Sequence, residues 1–101
     1  GLGDVYKRQG ADCSGFTMRI YEKFGYSLPH SSAAQAGYGR SVSMSSLQPG
    51  DLLFYKHGSS IGHVAMYIGG GRIVHAAGKK WGIVTANAFY RTPCCARRIL
   101  G

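Results

Sequence analysis

The stretch GHVAMYIGGGRIVHAA, residues 62–77, decides how this chain folds. Two short runs, HVAMYIG and RIVHAAG, flank three glycines at 69–71, the composition of a strand, a tight turn and a returning strand. Side chains alternate faces along a strand, so His63, Ala65 and Tyr67 share one face, and Ile73, His75 and Ala77 share one face of the next. A turn centred on Gly70 makes facing positions sum to 140. His63 then faces Ala77 and His75 faces Ala65. The two histidines become diagonal neighbours on one face, about 7–8 Å apart at the backbone and within side-chain reach. A two-residue loop makes the sum odd and separates them onto opposite faces unless a bulge intervenes. The sequence therefore predicts an odd-length loop or a bulge between these strands.

Outward from the hairpin, LQPGDLLFYK at 47–56 reads as a turn through Pro49-Gly50 feeding a strand from Asp51 to Lys56. Further strands are expected around Gly82 to Thr85 and around Cys95 to Leu100. Between Cys13 and Tyr26, Phe16, Ile20 and Phe24 recur at helical spacing with Thr17 and Tyr21 beside them. Asp12 is the expected N-cap and Gly25 the stop. A second helical segment is expected from Ser31 or Ser32 to Ala36, after Pro29, with Gly37 ending it and SVSMSSLQ following as a polar connection. Helices first and an antiparallel meander after them make an α+β arrangement.

At 101 residues, 45% of them hydrophobic, the chain has length for one domain with one modest core. A net charge of +8 implies an anionic partner or environment. Nucleic acid and a negatively charged cell wall both suit that charge, but the basic residues are dispersed and no zinc-finger or RNA-binding motif is present. No apolar run reaches membrane-spanning length and no signal peptide is visible, so an export signal would lie outside this sequence. Residues 1–9, GLGDVYKRQ, lack a clear period and read as a leader, either a loop or a translated cloning scar, ahead of a domain at 10–101.

Three cysteines make an odd count. A disulfide between the neighbours Cys94 and Cys95 is strained and uncommon, so they read as two small residues in a partly buried C-terminal strand. No Cys/His set has zinc-ligand spacing, and no metal is expected. Cys13, in GADCSGF at 10–16, is the one left over by that count.

A cysteine attacks as its thiolate, and a helix N-terminus supplies the partial positive charge and free N–H groups that favour one. A histidine can take the thiol proton and later protonate a leaving amine, with a second polar group holding its tautomer. His63 and His75 fill those roles if the helix packs Cys13 against the start of the sheet. Backbone N–H groups at the helix start then serve as the oxyanion site. Asp12 opposes a low thiol pKa, so it either points away as a cap or meets a cationic substrate group. The plainer alternatives are a buried filler cysteine, structural histidines and a capping Ser14. His30 and His57, in polar turn-like contexts, read as surface residues without chemistry.

ADCSGF around Cys13, LQPGDLLFY at 47–55, GHVAMYIGGGRIVHAA at 62–77 and ARRI at 96–99 together resemble the NlpC/P60 family of cell-wall cysteine peptidases. The resemblance implies a papain-like fold, with N-terminal helices packed on an antiparallel β-sheet. It implies Cys13 as nucleophile, His63 as general base and acid, and His75 as the residue that orients His63. It also implies Asp12, Ser14 and Ser32 as substrate-binding positions. The implied substrate is the amide bonds of peptidoglycan stem peptides, hydrolysed without a cofactor by a secreted or cell-wall-associated protein. Anionic wall polymer becomes the natural partner of the basic surface, in place of nucleic acid. A non-catalytic wall-binding module that keeps the fold is the alternative. One departure is visible: where the family carries an aromatic and a Trp-Gly-Gly-like stretch ahead of the cysteine, this chain reads VYKRQGA, with Tyr6 as its tyrosine.

Overall fold

The computed structural model describes residues 13–78 and 81–100. The leader and the expected cap Asp12 lie outside the described residues. Helix α1 occupies residues 13–22. It ends as the sequence predicts, at Gly25, whose φ of +86° is open to glycine without strain. The Gly25 N–H donates to the Glu22 carbonyl and the Tyr26 N–H to the Tyr21 carbonyl, both at 3.0 Å, which satisfies two of the last carbonyls of the helix. The buried stripe runs through Cys13, Thr17 and Tyr21 with Ser14 beside it. The larger apolar residues Phe16 and Ile20 are only half-buried, and Phe24 is 62% exposed. Cys13, Ser14 and Thr17 make this inner face mostly small, with Tyr21 its one large residue. Helix α2, Ser32–Gln35, is capped by Ser31, whose Oγ accepts from the Ala34 N–H at 3.3 Å.

Six strands follow: β1 (Arg40–Ser41), β2 (Leu52–His57), β3 (Ser60–Gly69), β4 (Arg72–Ala76), β5 (Ile83–Asn87) and β6 (Cys95–Arg98). They form one sheet in the order β1-β6-β2-β3-β4-β5, every pairing antiparallel. The helix-on-antiparallel-sheet arrangement is the predicted α+β class. β1 was not expected. It lies at the start of the polar connection and is held by backbone pairing to β6, which requires no apolar pattern of its own.

β2 occupies the middle of the sheet, and its run Leu52-Leu53-Phe54-Tyr55 is buried throughout because both faces are covered. Leu52, Phe54, Val64 and Ala76 join Cys13, Tyr21 and Leu28 in the helix-side core. Leu53, Tyr55, Ala65 and Ile73 join Ala88 and Ala96 on the other side. At the entrance to β2 the buried Asp51 accepts two hydrogen bonds from Arg98, each 2.8 Å, and a third from the Gln48 N–H at 2.8 Å. This carboxylate ties the turn before β2 to the last strand.

The β3–β4 hairpin takes the bulged form of the two solutions the sequence allows. Met66 pairs with Val74 and Tyr67 with Ile73, positions that sum to 140, before the register shifts to Gly69 with Arg72. Ile68 is the extra residue, and the turn is Gly70-Gly71. Both have positive φ, +61° and +75°, the conformation a tight two-residue hairpin turn demands. The bulge absorbs the odd count, so the body of the hairpin keeps the register that puts His63 and His75 on one face.

Candidate active site

His63 and His75 meet. The Nε2 of His63 lies 2.7 Å from the Nδ1 of His75, with ring centroids 4.9 Å apart and planes 75° to one another. Their neighbours are tyrosines. Tyr55, directly across from His63 in the β2–β3 ladder, stands 5.8 Å from it ring to ring, and Tyr90 stands 5.9 Å from His75 and 5.4 Å from Tyr55. The Tyr55 hydroxyl donates to the Ala88 carbonyl at 2.8 Å, which locks that ring under the pair.

Burial disfavours a charged ring at both positions. It lowers His63 from the usual 6.5 to about 4, with further lowering from the positive charges of His75, His57 and Arg91. Burial also lowers His75. Burial raises the Tyr55 hydroxyl, so it remains a proton donor at neutral pH. The histidines therefore meet as neutral imidazoles, one donating and one accepting.

A second bulge lies beside His63. Tyr55 pairs with His63, but Lys56 pairs with Ile61, leaving Gly62 as the extra residue. Ile61 packs against the helix-side core, whereas His63, two positions on, stands on the Tyr55 side. The bulge interrupts alternation at the point where β3 passes from one core to the other. Gly62 is required there for a second reason: a Cβ would sit 2.9 Å from Cβ and Cγ of His57. His57 is exposed, as expected from its sequence context, but its side chain lies against the bulge and its charge reaches His63.

Cys13 lies at the start of the described part of α1 and is completely buried. It belongs to the helix-side core with Val64 and Ala76, which alternate with His63 and His75 along β3 and β4 and so face away from them. The structure brings the two histidines together on the Tyr55 side and packs Cys13 into the helix-side core. The first turn of α1 is held by Gln35, itself fully buried. Its Nε2 donates to the carbonyls of Ser14 and Pro29, both at 2.9 Å, and its Oε1 accepts from the Thr17 hydroxyl at 2.7 Å. His30 packs over Gly15, with its Nε2 2.9 Å from where a Cβ would stand. Ser14 and Ser32 are buried around this turn, and Asp12 falls outside the described residues.

Gln35, Tyr55, Tyr90 and Arg91 are not singled out by sequence reasoning. Nothing in their local pattern marks them, since each acts on the site from a different segment. Cys94 is exposed and Cys95 half-buried at the start of β6, and both are free thiols.

The chain matches the family model described as NlpC/P60 family over residues 3–98. It belongs to the NlpC/P60 family. It is 46% identical over 80 residues to "Probable endopeptidase p60" of Listeria innocua, an alignment covering 74% of this chain and 17% of that protein. It is 46% identical over 71 residues to "Murein DD-endopeptidase MepS/Murein LD-carboxypeptidase" of Escherichia coli K12, covering 69% of this chain and 38% of that one. The chain thus spans well under half the length of these relatives. Among solved structures, an NlpC/P60 family protein from Bacillus cereus superimposes with a TM-score of 0.84 at 36% identity, covering 89% of this chain and 32% of that one. The peptidoglycan hydrolase RipB from Mycobacterium tuberculosis superimposes with a TM-score of 0.80 at 28% identity, covering 89% of this chain and 45% of that one. Among the described residues, no helix of this NlpC/P60 domain is long and apolar enough to cross a membrane.

Proposed function

We propose that this NlpC/P60 domain is a cysteine endopeptidase that hydrolyses amide bonds in peptidoglycan stem peptides, with Cys13, His63 and His75 as its site. The observation that carries the reading is the 2.7 Å contact between His63 Nε2 and His75 Nδ1. A structural histidine needs no second imidazole at hydrogen-bond distance, whereas a general base needs its tautomer held. The family membership and the names of the Listeria and E. coli relatives support the substrate class.

With Nε2 engaged by His75, Nδ1 is the other ring nitrogen of His63, and the proposal requires the Cys13 thiol, buried in the helix-side core, to reach it. His63 takes the thiol proton there, and the thiolate attacks the amide carbonyl carbon. Backbone N–H groups at the start of α1 stabilise the oxyanion. Collapse of the tetrahedral adduct passes the proton from His63 to the leaving amine and leaves a thioester. Water, deprotonated by His63, then releases the acid and restores the thiol. In this proposal Asp12 receives the free amine of the substrate, and Ser14 and Ser32 are the further substrate-binding positions. The net charge of +8 favours anionic wall polymer as the surrounding matrix of a secreted or wall-associated protein.

The test is digestion of purified sacculi by the chain and by Cys13→Ala, with mass spectrometry of the soluble fragments. Release of stem-peptide fragments by the parent alone is the expected result and identifies the bond. Binding to sacculi by both proteins, with no fragments from either folded chain, would establish the wall-binding module instead.

A further inference from the structure

Cys94 and Cys95 take no part in the proposed hydrolysis, and together they form a second thiol centre. Neighbouring residues on a regular strand point to opposite faces, which parts their side chains. Here Cys94 stands at a bend just before β6, and Cys95 opens the strand opposite Phe54. Their Sγ atoms consequently converge to 3.7 Å. The backbone that presents them is well anchored. Pro93 is buried, the Cys94 N–H donates to the Phe54 carbonyl at 2.8 Å, and Cys95 lies in the β2–β6 ladder. Such a pair is preorganised, because little conformational freedom remains to be lost on binding.

The separation suits one small thiophilic centre. With bonds of about 2.3 Å to each sulfur and pyramidal angles of about 95–105°, two sulfurs on one trivalent atom stand about 3.4–3.6 Å apart, close to the 3.7 Å between these thiols. Among the described residues no third His, Cys, Asp or Glu completes a metal-holding group. Lys56 and Arg97 direct positive charge at Cys95, while burial and the adjacent thiol push its pKa up to about 11. A divalent cation that seeks four protein donors is poorly served by two sulfurs beside two cations. An uncharged centre that condenses with thiols and brings its own third substituent is well served.

We infer that Cys94 and Cys95 form a chelating dithiol site for monosubstituted trivalent arsenicals and chemically kindred thiophiles. In the condensation with an arsenoxide, the two S–H protons leave with the oxide oxygen as one water. Two As–S bonds form, arsenic stays trivalent, and no oxidant is consumed. The site is independent of the proposed hydrolysis and lies on different residues.

The test uses the freshly reduced 101-residue chain carrying Cys13→Ala, which removes the third thiol, with phenylarsine oxide as the probe. One arsenical per chain is expected by native mass spectrometry, with both remaining thiols protected from iodoacetamide. Release by 2,3-dimercaptopropanol, but not by an equal concentration of a monothiol, marks two-sulfur chelation. Cys94→Ser changes an exposed side chain and weakens binding about 10²–10⁴-fold, the loss expected when the second of two linked contacts is removed. Two arsenicals per chain, unchanged alkylation rates in the presence of the probe, or equal affinity in Cys94→Ser would each overturn the inference.

Discussion

His63 and His75, twelve positions apart in sequence, are joined through their rings by a 2.7 Å contact between Nε2 and Nδ1. The contact constrains the tautomers. If Nδ1 of His63 is to accept a proton from Cys13, its Nε2 must carry the ring hydrogen and donate to His75 Nδ1, so His75 holds its own hydrogen on Nε2. His75→Ala removes the acceptor and should lower kcat on stem peptides by about 10²–10³-fold, within the range for general acid–base residues. His75→Asn supplies an amide oxygen for the same donor and should recover part of that loss. Rate assays on both variants check this, and a fully active His75→Ala would refute the orienting role.

Acidification is expected to strain the fold at the same place. The folded pKa of His63, about 4, lies below the ordinary 6.5, so between these values the unfolded chain binds the proton more readily. The stabilisation tied to the neutral ring is present above pH 6.5 and is lost as the pH falls towards 4. Urea midpoints measured across that window should fall further in the parent than in His63→Gln. In Cys13→Ala, where no thiolate couples to the ring, NMR titration of His63 should give a midpoint near 4. A midpoint at or above 6.5 would contradict the burial argument.

Gln35 connects α2 to the first turn of α1. Gln35→Leu keeps the volume but leaves the carbonyls of Ser14 and Pro29 without this donor in a buried setting. Each lost partner costs about 1–3 kcal/mol, so the variant should be destabilised by about 2–4 kcal/mol in urea unfolding. Activity should fall at temperatures where the protein is still folded, because the turn holding Cys13 loses its strap. A stability change near zero would show that water or a shifted backbone replaces the amide.

Two glycines with positive φ should respond differently to alanine. At Gly39, φ +67°, a Cβ would stand 2.9 Å or less from the Arg98 carbonyl group, part of the β6 backbone. At Gly70, φ +61°, nothing lies within 4 Å. Gly70→Ala carries only the left-handed penalty of about 1–2 kcal/mol. Gly39→Ala adds an overpacking cost of about 1–3 kcal/mol. Thermal or urea denaturation of the two variants should therefore rank Gly39→Ala as clearly the less stable.

The pairing of the histidines is legible in the sequence, because strand alternation and the glycine turn are local rules. Those rules left two solutions, an odd loop or a bulge, and only the extra residue Ile68 in the folded hairpin selects between them. The end of α1 at Gly25 was legible for the same local reason. Its inward face was not: spacing draws attention to Phe16, Ile20 and Phe24, whereas the folded chain buries Cys13, Thr17 and Tyr21. β1 escaped notice because a two-residue strand held by backbone pairing has no side-chain signature.

By itself, then, the sequence determined the α+β class, the helix stop, the main strands and the pairing of His63 with His75. Periodicity and turn chemistry act over a few residues and can be read from them. Tertiary structure decided the neutrality of that pair, the Gln35 strap, the tyrosines beneath the imidazoles and the convergence of Cys94 with Cys95. Each of these depends on burial, on a bulge or bend, or on a partner from a distant segment. Such contacts exist only after the backbone has paired, because it is the order of strands in the sheet that determines which side chains share a space.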